Sequence, residues 1–147
     1  MKYFAIKGSA STDEEAIKLC ADKLYEEGCV TDQFANNCIR REKKFPTGMP
    51  SELPVAMPHS EAAGVVENAV CVLVLDKPVN FRRMDDDTVE IPAEAVFNLA
   101  VKDPSKHMYI LQNLMGLFYQ TDVLTDLLKT DLKEMPSQLE KILEKNS

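Results

Sequence analysis

The sequence predicts an α/β fold, a single-domain sandwich whose mixed β-sheet is flanked by helices. Three observations carry that expectation. Segments with helical spacing alternate with β-branched runs along the chain. No internal repeat or low-complexity tract breaks the alternation. The length, 147 residues, suits one hydrophobic core and not two, so residues 1–147 are read as one domain.

Taken in order, Tyr3 to Ile6 reads as an edge strand that stops at Gly8 and a run of small polar residues. A helix follows. Ser11 or Thr12 can cap it, and Asp13, Glu14 and Glu15 suit the positive end of its dipole. Ile17, Cys20, Ala21 and Leu24 recur on one face, and Gly28 supplies the stop. A second helix is expected from Thr31, with Phe34, Ala35, Cys38 and Ile39 as its stripe and Arg40, Arg41, Lys43 and Lys44 near its negative end. From Phe45 to Pro58 five helix breakers fall within fourteen residues. That excludes regular helix and leaves an ordered loop with room for a short strand at Val55 to Met57. Ser60 can then cap a short helix through Glu61, Ala62, Ala63 and Val65, although Gly64 weakens it.

In the second half, Val70 to Leu75 has the β-branched density of a buried strand, Pro78 to Phe81 reads as its antiparallel return, and Glu94 to Val101 as a third strand. Between them, Asp85-Asp86-Asp87 reads as a solvated tip. Asp103-Pro104 opens a long helix with proline at its first position and Met108, Leu111, Leu114, Met115 and Phe118 as its apolar face. Helices over about Asp122 to Thr130 and Ser137 to Lys145 complete the chain.

Composition narrows the class of function. With 45% hydrophobic and 28% charged residues the chain is an ordinary globule, not a disordered one. Its longest apolar run, Ala69 to Leu75, falls far short of the ~20 residues that cross a bilayer. A net charge of -7 repels phosphate backbones, so no nucleic-acid partner is expected. The apolar stretch after Met1 is too short for a secretory signal because Lys7 interrupts it, which makes the cytoplasm the expected compartment. Cys20, Cys29, Cys38 and Cys71 contain no C-x-x-C pair and read as reduced thiols, most of them packed inside. No cysteines and histidines lie at the spacing of a structural zinc site, and no Gly-rich phosphate loop is present, so neither metal nor ATP is expected.

Chemistry gathers at the two histidines. His59 lies in Val55-Ala56-Met57-Pro58-His59-Ser60, where a strand-like run meets a proline of fixed φ and displays the ring at a strand end. A neutral imidazole can attack phosphorus through one ring nitrogen while the other is held by a hydrogen bond. The resulting phosphohistidine calls for a guanidinium fork, for which Arg41 stands first and Arg40 second. Each residue also has an ordinary explanation: a structural histidine at His59 or His107, and a solvated helix end for the basic quartet. Pattern alone leaves both readings open.

The ordered motifs are more specific. Arg41-Glu42, Phe45-Pro46-Thr47-Gly48, Val55 to Ser60, Lys77-Pro78-Val79-Asn80-Phe81, and His107 with Leu111 and Leu114 together resemble the enzyme IIA domains of the bacterial phosphoenolpyruvate-dependent sugar phosphotransferase system, fructose/mannitol type. The resemblance runs from about residue 3 to 145. Glu52-Leu53-Pro54 and the Asp-rich loop before Val89 look most like the galactitol subgroup. What the resemblance implies is an α/β sandwich and a phosphotransferase without a cofactor. It puts the phosphorylated Nε2 on His59, an arginine beside that imidazole on Arg41, and a second imidazole on His107. Its implied donor is the histidine-containing phosphocarrier protein, its acceptor a cysteine of enzyme IIB, and enzyme IIC takes part indirectly at the membrane. A regulatory module of the same fold, of the nitrogen-related branch, would carry the same three residues. So would a binding domain that has merely kept the motif.

Overall fold

The computed structural model describes residues 1–144, so Lys145, expected as the end of the last helix, lies outside the described residues. One five-stranded mixed sheet organises it: β1 (Lys2–Gly8), β2 (Gly48–Met49), β3 (Val55–Ala56), β4 (Ala69–Arg82) and β5 (Glu90–Ala100), in the order β1-β4-β5-β3-β2. β1 runs parallel to β4 and β3 parallel to β5, while the β4–β5 and β2–β3 pairs are antiparallel. Among the described residues five helices cover the sheet: α1 (Asp13–Glu26), α2 (Phe34–Lys44), α3 (Pro104–Phe118), α4 (Thr121–Lys129) and α5 (Met135–Glu144). The expected α/β sandwich is therefore the observed one.

Over Ala69 to Leu75 both faces of β4 are covered, which is why that half of the strand reads as an unbroken apolar run. Cys71, Leu73 and Phe81 pack on one face under α1 and α2, and Val70 and Val72 on the other under α3, α4 and α5. Thr12 caps α1 by accepting the Glu15 N–H at 3.2 Å, a bond that contributes about 1 kcal/mol. Gly28 ends that helix region with φ +77. Asp103 caps α3 through the Ser105 N–H, with Pro104 just inside. All four cysteines are buried free thiols, as expected from their scatter.

Four local expectations differ from the structure, each for a physical reason. The second helix starts at Phe34, not Thr31. Thr31 is drawn into a turn by donating its N–H to the Gly64 carbonyl and accepting the Gln33 N–H at its hydroxyl. Residues 61–65 form turns, not a helix, with Gly64 at φ +88 and the Ser60 hydroxyl bonded to the Glu61 carbonyl. Pro78 to Phe81 is no return strand. β4 continues through it by an irregularity between Val74 and Val79, where a proline needs no ladder N–H, and the chain reverses beyond Arg82, around the Asp85-Asp86-Asp87 tip. Finally, α3 turns Ile110, Leu114, Leu117 and Phe118 into the core, leaving Met108 exposed and Leu111 and Met115 half-buried.

Candidate active site

The path from β3 to His59 follows β5. Val55 and Ala56 pair with Ala95 and Val96, the Leu99 N–H reaches the Pro58 carbonyl at 3.0 Å, and His59 itself bridges Leu99. The buried Asn98 adds a second donor to Pro58, from Nδ2 at 2.8 Å. His59 is thereby held at the carboxyl end of two parallel strands, the usual location for ligand crevices in such sheets. β5 leads from the same end into α3, whose first turn carries His107. The two rings meet edge to face, with centroids 5.1 Å apart and planes at 69°.

Arg41 arrives from the last turn of α2, which is tied to the sheet by Arg82. That guanidinium donates to the Glu42 carbonyl at 3.2 Å and to the Lys43 carbonyl. The Arg41 guanidinium lies 5.2 Å from the centre of the Phe45 ring, and its buried Nε has no hydrogen-bond partner. Two depressions share Arg41 and His59. One, of about 400 Å³, is walled by His107, Met108 and Ser60; the other, of about 590 Å³, by Phe45, Met84, the Asp85–Asp87 tip, Leu111 and Met115. The structure thus gathers His59, Arg41 and His107 in one place. Arg40, the second candidate, is bonded to Asn37 and lines a neighbouring hollow of about 380 Å³ with Arg41 and Lys44.

The His59 ring has a defined polarity. Nδ1 lies 2.8 Å from the Met57 carbonyl, which can only accept, so the proton sits on Nδ1 and Nε2 carries the free lone pair. Burial pushes the ring pKa down from 6.5 to about 4; His107 and Arg41 add to the fall, and the Met57 hydrogen bond opposes it. His107 is lowered too, by burial first and Arg41 next, against an opposing interaction with the Val101 backbone. Both rings are therefore neutral bases at neutral pH. An NMR titration of the His59 ring is expected to show a midpoint near 4, and a midpoint near 6.5 would contradict the burial argument. The linked stability effect is present above pH about 6.5 and is lost as pH falls through about 4, because the unfolded histidine takes a proton first.

Three residues that sequence reasoning passed over shape the site. Glu42 and Thr47 stood inside recognised motifs without a role, and Asn98 was an amide in an apolar strand. The polar residue within the run Ala95 to Val101 was the one available signal. Burial pushes the Glu42 carboxyl up to about 7, although two hydrogen bonds from Thr47 favour its ionised form. No group of three or more candidate metal ligands occurs among the described residues, and none of their helices is long and apolar enough to cross a membrane.

The chain is 31% identical over 124 residues to the galactitol-specific EIIA component of the phosphotransferase system of Escherichia coli strain K12, which covers 82% of each protein. It is similar to the crystal structure of IIA mannitol from Escherichia coli, with a TM-score of 0.72 and 25% identity over 94% of this chain and 95% of that one. A complex of enzyme IIAMTL with phosphorylated enzyme IIBMTL from the same organism shares the fold, with a TM-score of 0.63 and 20% identity over 99% of this chain and 95% of that one. Residues 2–145 match the family model described as phosphoenolpyruvate-dependent sugar phosphotransferase system, EIIA 2. The chain belongs to that family, whose EIIA components are phosphotransferases that relay phosphate through a phosphohistidine.

Proposed function

We propose that His59 accepts a phosphoryl group at Nε2 from the histidine-containing phosphocarrier protein and passes it to a cysteine of enzyme IIB, in the cytoplasm. The relay would feed uptake of galactitol or a related polyol through enzyme IIC. The observation that carries this reading is the Nδ1–H hydrogen bond to the Met57 carbonyl, because it leaves the lone pair on Nε2. That lone pair attacks phosphorus in line, the donor's N–P bond breaks, and its electrons return to the donor ring. The Nδ1 proton stays in place, and the Met57 carbonyl steadies the positive charge the ring acquires. In the second step a thiolate attacks, the N–P electrons return to Nε2, and the neutral ring is restored.

Arg41 is suited to the phosphoryl oxygens because its Nε is buried and unpaired, a state that ordinarily costs about 1–3 kcal/mol and that an oxyanion would relieve. His107 flanks the same position, 5.1 Å from the His59 ring. Both macromolecules would dock in turn on the apolar rim of Phe45, Met84 and Met108, all exposed. The acceptor assignment is supported by the IIAMTL–IIBMTL complex and the polyol assignment by the galactitol-specific relative.

The test is to incubate the chain with phosphoenolpyruvate and the two upstream proteins and to look for acid-labile phosphate on His59 by mass. Transfer onward to a polyol-specific enzyme IIB distinguishes transport from a regulatory role. In the same assay Arg41→Lys is expected to slow transfer about 10- to 100-fold, since a point charge cannot replace a planar fork. A lysine variant that transfers at the wild-type rate would remove Arg41 from the mechanism.

A further inference from the structure

Behind the three side chains of the site runs a line of hydrogen bonds that ties the helix of Arg41 to the ring of His59. It starts at Glu42, which points into the protein and is only 4% exposed. Its Oε2 accepts the Thr47 N–H at 2.8 Å and its Oε1 the Thr47 hydroxyl at 2.9 Å. The Thr47 hydroxyl oxygen in turn accepts the Met57 N–H at 3.2 Å. A backbone N–H only donates, so the hydroxyl accepts from Met57, and it gives its own proton to Glu42 Oε1. Every donor along the line points toward the carboxyl group.

The line ends on the residue whose carbonyl holds His59 Nδ1. Met57 is pinned on its amino side by Thr47, and Pro58 is pinned by the Asn98 amide and the Leu99 N–H. Between those anchors, the Met57 carbonyl faces His59 Nδ1. We infer that Glu42 and Thr47 are positioning residues for phosphoryl transfer: their clasp aims the Met57 carbonyl, and the carbonyl selects the Nδ1–H tautomer that leaves Nε2 free to react. This rests on the reading of His59 as the phosphorylated residue. Free histidine favours the opposite tautomer, with the proton on Nε2, so a ring released from the carbonyl would present its nucleophilic lone pair on the wrong nitrogen. The clasp also couples the two halves of the site, because Glu42 adjoins Arg41 on α2.

The experiment uses the full chain labelled with 15N-histidine, its two rings told apart by the spectrum of His59→Ala. Thr47→Val removes the hydroxyl at nearly constant volume, Thr47→Ser keeps it, and Glu42→Gln removes one acceptor at constant shape. Wild type is expected to show His59 protonated on Nδ1. Thr47→Val is expected to show a mixed or reversed tautomer and phosphate uptake slowed about 10- to 100-fold, the scale on which small misplacements act. Thr47→Ser is expected to restore both. Should the valine variant not fold, Glu42→Gln carries the same two readouts.

A folded Thr47→Val or Glu42→Gln chain with wild-type tautomer and wild-type uptake overturns the inference. A wild-type ring protonated on Nδ1 that never takes up phosphate sinks the phosphocarrier reading instead and leaves the tautomer lock standing.

Discussion

His59→Ala is expected to abolish phosphate uptake, on the order of 10⁴-fold or more, down to the level of a control without the chain. The size follows from the geometry. In the proposed relay the alanine removes the nucleophile outright, and the neighbouring ring of His107, with its centroid 5.1 Å away, would have to attack from a different position. The fold should survive, because the ring is only half-buried and makes one hydrogen bond, to the Met57 carbonyl. Losing that bond costs about 1 kcal/mol, which lowers the melting temperature of a chain this size by roughly 2–4 °C. The variant should also be less sensitive to acid between pH about 6.5 and about 4, since it lacks the ring that resists protonation when folded. Mass measurement of the labelled peptide checks the first point and thermal melts at two pH values the second. Phosphate appearing on His107 of the variant at a comparable rate would reverse the roles of the two rings.

What could be read from the sequence is what local chemistry determines. Thr12 and Asp103 act as caps wherever a helix starts after them, and Val70 to Leu75 is a buried strand in nearly any context. His59, Arg41 and His107 were legible because they lie in ordered motifs, and the structure brings them together at one end of the sheet. The rest depended on partners far along the chain. Pro78 resembles a break until β5 is present to show that it sits at an irregularity in a continuous strand. The run after Ser60 resembles a helix until the Gly64 carbonyl is claimed by Thr31. Glu42 resembles one more charge on a basic helix end until Thr47 folds back over it, and Asn98 resembles an accident until Pro58, forty residues earlier, supplies its acceptor. Leu114 and Phe118 of the expected α3 stripe are buried, whereas Ile110 and Leu117 complete it in place of Leu111 and Met115, which line the groove beside His59 instead.

Gly48→Ala is expected to destabilise the chain by about 2–3 kcal/mol, lowering its melting temperature by roughly 4–12 °C. Gly48 is trapped between two backbones. On one side it pairs with Ala56 of β3; on the other its carbonyl accepts the Met84 N–H at 2.9 Å from the β4–β5 hairpin. An added Cβ would lie 2.5 Å from the Arg82 carbonyl oxygen and 3.1 Å from both the Arg82 carbonyl carbon and Ile91 Cγ1. Backbone cannot swing aside as a side chain would, so the loop itself must shift. Thr47 is the preceding residue and Arg82 anchors the end of α2, so the displacement should carry into the site and slow phosphate uptake about 10- to 100-fold. Gly116→Ala supplies the contrast: it lies within α3 with nothing within 4 Å of the new methyl, and helix propensity alone should stabilise it by about 0.5–1 kcal/mol. The same substitution is thus expected to have opposite signs at the two positions. A Gly48→Ala chain that melts with wild type would show that the β2 turn yields freely, and would remove the claim that close approach to the Arg82 backbone holds the loop of Thr47 in place.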